Sequence, residues 1–101
     1  MSVRRTPLDG VLVVEPVMHG DERGFFMESY HRQRYAEHGI PDEFVQDNHS
    51  RSVRGVLRGI HFQDMTAPMS KLIRCTLGSI LDVAVDLRAG HRPSANGWRR
   101  S

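Results

Sequence analysis

Apolar and polar residues alternate over short runs along most of this chain, the period of strands half-buried in a sheet. Val11 to Val14 inside VLVVEPV forms the first β-prone run, within Leu8 to Val17. Pro16 marks its end, because proline cannot donate to a ladder. Gly20-Asp21 is a turn signal, and Gly24 to Tyr30 reads as the second strand. Phe26, Glu28 and Tyr30 fall on one face there, with Phe25, Met27 and Ser29 on the other. Phe44 to Ser52 and Val56 to Gln63 are predicted as a third and fourth strand around an Arg54-Gly55 turn. A loop is expected over Asp64 to Ser70, a fifth strand over Lys71 to Leu77, and a sixth over Ile80 to Leu87. In the sixth, Val83, Val85 and Leu87 face one way and Asp82, Ala84 and Asp86 the other. From Arg88 onward the signal is loop-like.

One stretch breaks the β rhythm. Residues 31–38, HRQRYAEH, contain no β-branched residue, and Gly39 stands where a helix commonly stops. Pro41 prevents continuation. A single short surface helix near 31–38 is therefore expected, with Tyr35 and Ala36 as its apolar residues. Closely spaced strands with turn signals predict an all-β sandwich or barrel.

The chain has 101 residues, enough for one small domain. No aliphatic run approaches the length needed to cross a membrane, and the first residues lack the apolar segment of a signal peptide. Cys75 is the single cysteine, so no internal disulfide is possible, and its simplest role is as a small core residue. These features predict a cytoplasmic protein without a membrane partner. The net charge is +2, and thirteen of the fourteen basic residues are arginine. That bias fits either codon usage or affinity for an anionic ligand. Acidic residues are interspersed and there is no basic helix or stacking platform, so nucleic acid is not an expected partner.

Polar groups crowd the two runs of FVQDNHSRSVRGVLRGIHFQ, Phe44 to Gln63. Such groups are costly in a sheet unless they meet water or a ligand. His61 is either a half-buried, hydrogen-bonded histidine or a general base, since imidazole exchanges protons near neutral pH. A metal site is disfavoured: a second histidine two positions along a strand would be the usual partner, and Gln63 stands there. Lys71 is either a solvated lysine at a strand start or a cation placed to hold a developing oxyanion. Arg58 lies three residues from His61, on the opposite face under strict alternation. It joins the same pocket only if an irregularity falls at Gly59. Gln46 and Asn48 share one face, Asp47 and His49 the other, as an exposed edge or a ligand-facing one. Arg23 is either a loop charge or a phosphate clamp, and Phe26 either a core residue or a stacking surface. Asp82 and Asp86, roughly 13 Å apart along one strand, do not form an acid pair.

The segments GDERGFFMESY, FVQDNHSRSVRGVLRGIHFQ, KLIRC and DVAVDLR, in this order and spacing, closely resemble the N-terminal half of the dTDP-4-dehydrorhamnose 3,5-epimerase family. The resemblance runs from about Leu8 to Trp98. It implies a cupin-type jelly roll, here incomplete, as a single truncated domain over 1–101. It implies an isomerase of deoxysugar (dTDP-rhamnose) biosynthesis that needs no cofactor and no metal, acting on a dTDP-4-keto-6-deoxy sugar. By motif position His61 matches the base and Lys71 the residue near the keto oxygen. Asn48 and Arg58 match the sugar-phosphate pocket, and Arg23, Phe26, Glu28 and Gln46 the residues that hold the nucleotide. A homodimer with exchanged N-terminal strands is also implied. Family chains continue past the tryptophan matched by Trp98, through the tyrosine that serves as general acid and the aspartate that orients the base. Neither Tyr30 nor Tyr35 stands in that tyrosine's position. The expectation is an epimerase-like chain with weak or no turnover alone. The alternative is a non-catalytic fragment that binds nucleotide sugar or dimerises without turnover.

Overall fold

A computed structural model describes residues 1–63, 66, 68–88 and 97–100. The described chain is mostly strands with one short helix, an all-β arrangement made of three antiparallel hairpins. Strand β1 (Ser2–Arg5) pairs with β2 (Leu12–Glu15), with Val3 opposite Val14 and Arg5 opposite Leu12. Arg4 and Glu15 add an ion pair at 2.5 Å. The loop between them is held by Thr6, whose hydroxyl donates to the Val11 carbonyl at 2.8 Å and accepts from the Leu8 N–H at 3.3 Å. Strand β2 stops at Glu15, immediately before Pro16, as the missing N–H requires.

Strands β3 (Met18–Asp21) and β4 (Gly24–Met27) form the second hairpin, with Met18 opposite Met27 and Asp21 opposite Gly24. Its two-residue turn, Glu22-Arg23, is closed by the Asp21 carboxylate, which accepts the Arg23 N–H at 2.8 Å. Gly24 adopts φ +131°, open to glycine at little cost. The third hairpin joins β5 (Asp82–Val85) to β6 (Gly97–Arg100).

Helix α1 covers Arg32–Glu37. His31 caps its start, its Nδ1 accepting the Arg34 N–H at 3.2 Å. At the other end the Ile40 N–H reaches the Tyr35 carbonyl at 2.9 Å and the Gly39 N–H reaches the Ala36 carbonyl at 3.1 Å. With Gly39 at φ +88°, this is a Schellman closure, and Tyr35 and Ile40 bury together as that motif favours. The helix is less superficial than its composition predicts: Tyr35 is only 2% exposed. Its ring packs edge-on against Tyr30 at 4.8 Å, and Tyr30 packs in the same manner against Phe44 at 5.2 Å.

Three predicted strands do not form. The residues of 44–52, 56–63 and 71–77 carry no strand assignment. A strand is a property of a pair, because its backbone donors and acceptors need a neighbour. The hydrogen bond from the Val56 N–H to the Val53 carbonyl, at 3.3 Å, is a turn and not a ladder. Three strands that the hydrophobic pattern missed, β1, β3 and β6, form because each meets a partner in register, and Gly20-Asp21, expected as a turn, pairs inside β3 instead. The predicted loop over 64–70 and the tail after Arg88 fall partly on residues outside the described set. Within that tail, 97–100 is strand and not loop.

Little apolar surface is buried. Leu8, Tyr35 and Ile40 are the buried apolar residues among those described. The radius of gyration is 15.5 Å, against about 13 Å for a packed domain of this length. Along β5 and the two residues after it, burial runs opposite to hydrophobicity. Val83, Val85 and Leu87 are 57%, 48% and 65% exposed, while Asp86, on the other face, is 6% exposed. Cys75 is exposed and not a core residue; its thiol lies 3.3 Å from the Leu77 carbonyl.

Candidate functional site

The β3–β4 hairpin presents the first group of predicted residues. Its tight turn brings Arg23 back over Asp21, and the guanidinium donates to the carboxylate through Nε at 3.1 Å and Nη2 at 2.6 Å. The pair is exposed. It holds the Asp21 carboxyl below its ordinary value and the Arg23 guanidinium above its own. Phe26 lies three residues after the turn, opposite His19, and is 73% exposed. His19, Asp21, Arg23, Gly24, Phe25 and Phe26 line a shallow cleft of about 190 Å³. Arg23 and Phe26 are thus neighbours on one surface, and both are accessible to a ligand.

Glu28 follows β4 directly. Its carboxylate takes two parallel hydrogen bonds from Arg34 of α1, Nε to Oε1 at 2.8 Å and Nη2 to Oε2 at 2.7 Å. The guanidinium hydrogen bonds lower the Glu28 pKa, and the same contact raises that of Arg34. Sequence reasoning singled out Glu28 but not Arg34. The two lie six residues apart across a strand–helix junction, where neither strand nor helix spacing pairs them. The Asp21–Arg23 contact was easier to anticipate, since Asp-x-Arg before a glycine is a turn in which the aspartate reaches forward.

In the extended 44–63 stretch, the Gln46 amide donates to the Asn48 side-chain oxygen at 3.1 Å, so these two do lie on one side. Arg58 folds back, donating through Nε to the Ser52 hydroxyl at 2.7 Å and through Nη2 to the Arg51 carbonyl at 2.9 Å. Gly59, next to it, takes φ +140°, a break in strand regularity at the position the alternation argument requires. His61 and Lys71 are both exposed. Among the described residues neither has a hydrogen-bond partner, so each leaves its donors and acceptors available. A second, larger hollow, lined by His31, Arg32, Gln33, Ala36 and Pro41, lies against the helix and includes none of the predicted residues. Among the described residues no three histidine, cysteine or carboxylate side chains cluster as metal ligands, and no helix is long and apolar enough to cross a membrane.

Comparison with known proteins is consistent along the chain. The model of the family described as dTDP-4-dehydrorhamnose 3,5-epimerase matches residues 5–98. The dTDP-4-dehydrorhamnose 3,5-epimerase of Escherichia coli (strain K12) is 53% identical over 90 residues, 87% of this chain and 48% of the relative. That of Pseudomonas aeruginosa is 52% identical over 99 residues, 97% of this chain and 54% of the relative. A dTDP-4-dehydrorhamnose 3-epimerase of Streptomyces niveus is 42% identical over 99 residues, 97% of this chain and 47% of the relative. The chain spans about half the length of the curated relatives it matches. With a match that takes in both hairpin-borne and extended site segments, this chain belongs to the dTDP-4-dehydrorhamnose 3,5-epimerase family.

Proposed function

We propose that this chain supplies the proton-abstracting side of a sugar-nucleotide epimerase site, acting on a dTDP-4-keto-6-deoxy sugar in dTDP-rhamnose biosynthesis. The observation that carries the reading is the family match over 5–98, which includes His61, Lys71 and every proposed substrate contact. Hydrogens on the carbons flanking a ketone are acidic, because the electron pair left behind moves onto the carbonyl oxygen. Neutral His61 takes the C–H proton, and the Lys71 ammonium donates a hydrogen bond to the enolate oxygen. Return of a proton to the opposite face inverts the centre. Asn48 and Arg58 hold the sugar-phosphate portion, and Arg23, Phe26, Glu28 and Gln46 hold the nucleotide. The chemistry draws on side chains alone, without a cofactor or metal.

The half of the relatives not spanned here carries, in the resemblance, the tyrosine acid and the aspartate that orients the base. Without an opposing acid, the 101-residue polypeptide turns over weakly or not at all. In the jelly roll we propose, residues 1–101 belong to one domain, and a second layer covers the valine face of β5. The exposed face of Val83, Val85 and Leu87 supports that reading. A homodimer with exchanged N-terminal strands and a cytoplasmic location belong to the same proposal.

Incubation with dTDP-4-keto-6-deoxyglucose in D₂O, followed by mass spectrometry and NMR, tests the assignment. In the protein carrying both halves, deuterium enters at C3, C5 or both, and His61→Ala abolishes it. Exchange that survives His61→Ala overturns the base assignment. Clear exchange by the 101-residue polypeptide alone overturns its proposed inactivity. A second reading, nucleotide-sugar binding without turnover, is favoured by the exposed Arg23 and Phe26 on one cleft. dTDP binding with no exchange at any site would support it.

A further inference from the structure

Resting on the proposal that Glu28 helps hold the nucleotide, we infer that Arg34 is a positioning residue for that site, fixing the Glu28 carboxylate and cancelling its charge. A bare carboxylate beside a nucleoside diphosphate repels it. The two-point contact with Arg34 removes that repulsion and sets the plane of the carboxylate.

Exposed ion pairs are often loose, because two long side chains must be ordered to meet. Here both backbones are held independently. Glu28 leaves β4, registered at Met27 against Met18, and the next carbonyl, Ser29, accepts the Tyr35 hydroxyl at 2.7 Å. Arg34 donates its N–H to His31 Nδ1 at 3.2 Å, and its carbonyl accepts from His38 Nδ1 at 2.7 Å. The pair therefore spans a junction already tied by Tyr35, and the stems have little freedom left to lose. Its side chains are 54% and 41% exposed, so a ligand can reach them. Arg23 is likewise paired with Asp21. The nucleotide would thus meet two neutralised arginine–carboxylate forks instead of two loose cations and two repelling anions.

Titration of the 101-residue chain with dTDP, read by calorimetry, tests this across Arg34→Ala, Arg34→Lys, Glu28→Gln and the Glu28→Gln/Arg34→Ala double variant. Arg34→Ala weakens binding by about tenfold, and Arg34→Lys restores part of the loss. In the Glu28→Gln background, removing Arg34 changes affinity by less than about twofold. Binding by Arg34→Ala equal to the parent overturns the inference. So does an equal loss in both backgrounds, which would make Arg34 a direct nucleotide contact. Failure of the parent chain to bind dTDP is a separate outcome that removes the nucleotide-site reading itself, and the inference with it. Thermal midpoints are recorded for each variant. If Arg34→Ala melts in the assay range, Arg34→Gln, which keeps the stem and one donor without the charge, takes its place.

Discussion

Arg88 grips Asp86 at three points: its N–H and Nε donate to Oδ1 at 2.9 Å each, and Nη2 donates to Oδ2 at 2.8 Å. The same guanidinium donates to the Asp9 carbonyl at 2.9 Å, 79 residues away in the chain. The end of β5 is thereby fastened to the β1–β2 loop. Asp86 is the buried charged residue among those described, its side chain 3% exposed. Such a carboxylate needs its cation, since burying it alone is costly. Asp86→Asn places an amide against the donors of Arg88 and should cost about 1–3 kcal/mol, read from urea unfolding of the 101-residue chain. Stability equal to the parent contradicts the fastening role.

Tyr35 ties the helix to the strand before it. Its buried ring fills the space between α1 and the 29–30 segment, and burial pushes its phenol pKa up. Tyr35→Phe loses only the hydrogen bond to Ser29 and should cost about 1 kcal/mol. Tyr35→Ala also loses the ring and should cost about 3–5 kcal/mol, enough to remove the helix signal in circular dichroism. Equal effects from the two variants would mean that the ring contributes nothing.

Gly39 separates conformational cost from steric cost. It holds φ +88°, yet a Cβ there would meet nothing within 4 Å. Gly39→Ala should therefore destabilise by about 1 kcal/mol through backbone conformation alone, and Gly39→Asn by less, because asparagine tolerates the left-handed region. A loss with asparagine as large as with alanine would point to packing instead.

The arginine–carboxylate pairs set an acid limit. The Glu28 pKa is lowered from about 4.5 by Arg34, and that of Asp21 from about 3.8 by Arg23. A carboxyl whose folded value lies below its unfolded value adds stability above the unfolded value. That contribution fades as pH falls through the folded one. Both pairs are therefore intact at neutral pH and down to about pH 5, and are lost only in more acidic solution. In an NMR titration, Glu28 should protonate below the ordinary glutamate range in the parent and return toward it in Arg34→Gln. An unchanged midpoint rejects the pairing.

The valine face of β5 should drive association of the isolated polypeptide, since contiguous exposed apolar surface seeks cover. Val83→Thr with Val85→Thr keeps β-branched residues while making the face polar. The double variant should shift the sedimentation distribution toward monomer and lower dye binding to apolar surface. An unchanged distribution places the associating surface elsewhere.

The helix and its stop were legible in sequence because their signals are local: Gly39 and Pro41 act within a turn of the residues they control, whereas the capping role of His31 was not read. The β3–β4 turn was expected two residues early, at Gly20-Asp21, because the glycine signal does not reveal that both residues find partners in β4. The runs 44–52, 56–63 and 71–77 were misread because their β propensity is real but needs a ladder partner that spacing cannot supply. Site residues followed the same division. His61 and Lys71 were singled out as candidates by type and motif; alternation put Gln46 and Asn48 on one face, and the motif made them candidates. Arg34 was invisible because its partner lies across a junction between two kinds of structure.

Residue order and motif by themselves determined the family, the all-β character and the one helix among the described residues, because these depend on residue type and neighbours in the chain. Tertiary structure alone decided that Glu28 meets Arg34, that Arg58 turns back to Arg51 and Ser52, and that Asp86 is buried while Val83 and Val85 are not. Those outcomes depend on which distant backbone each side chain meets, and no local period encodes that meeting.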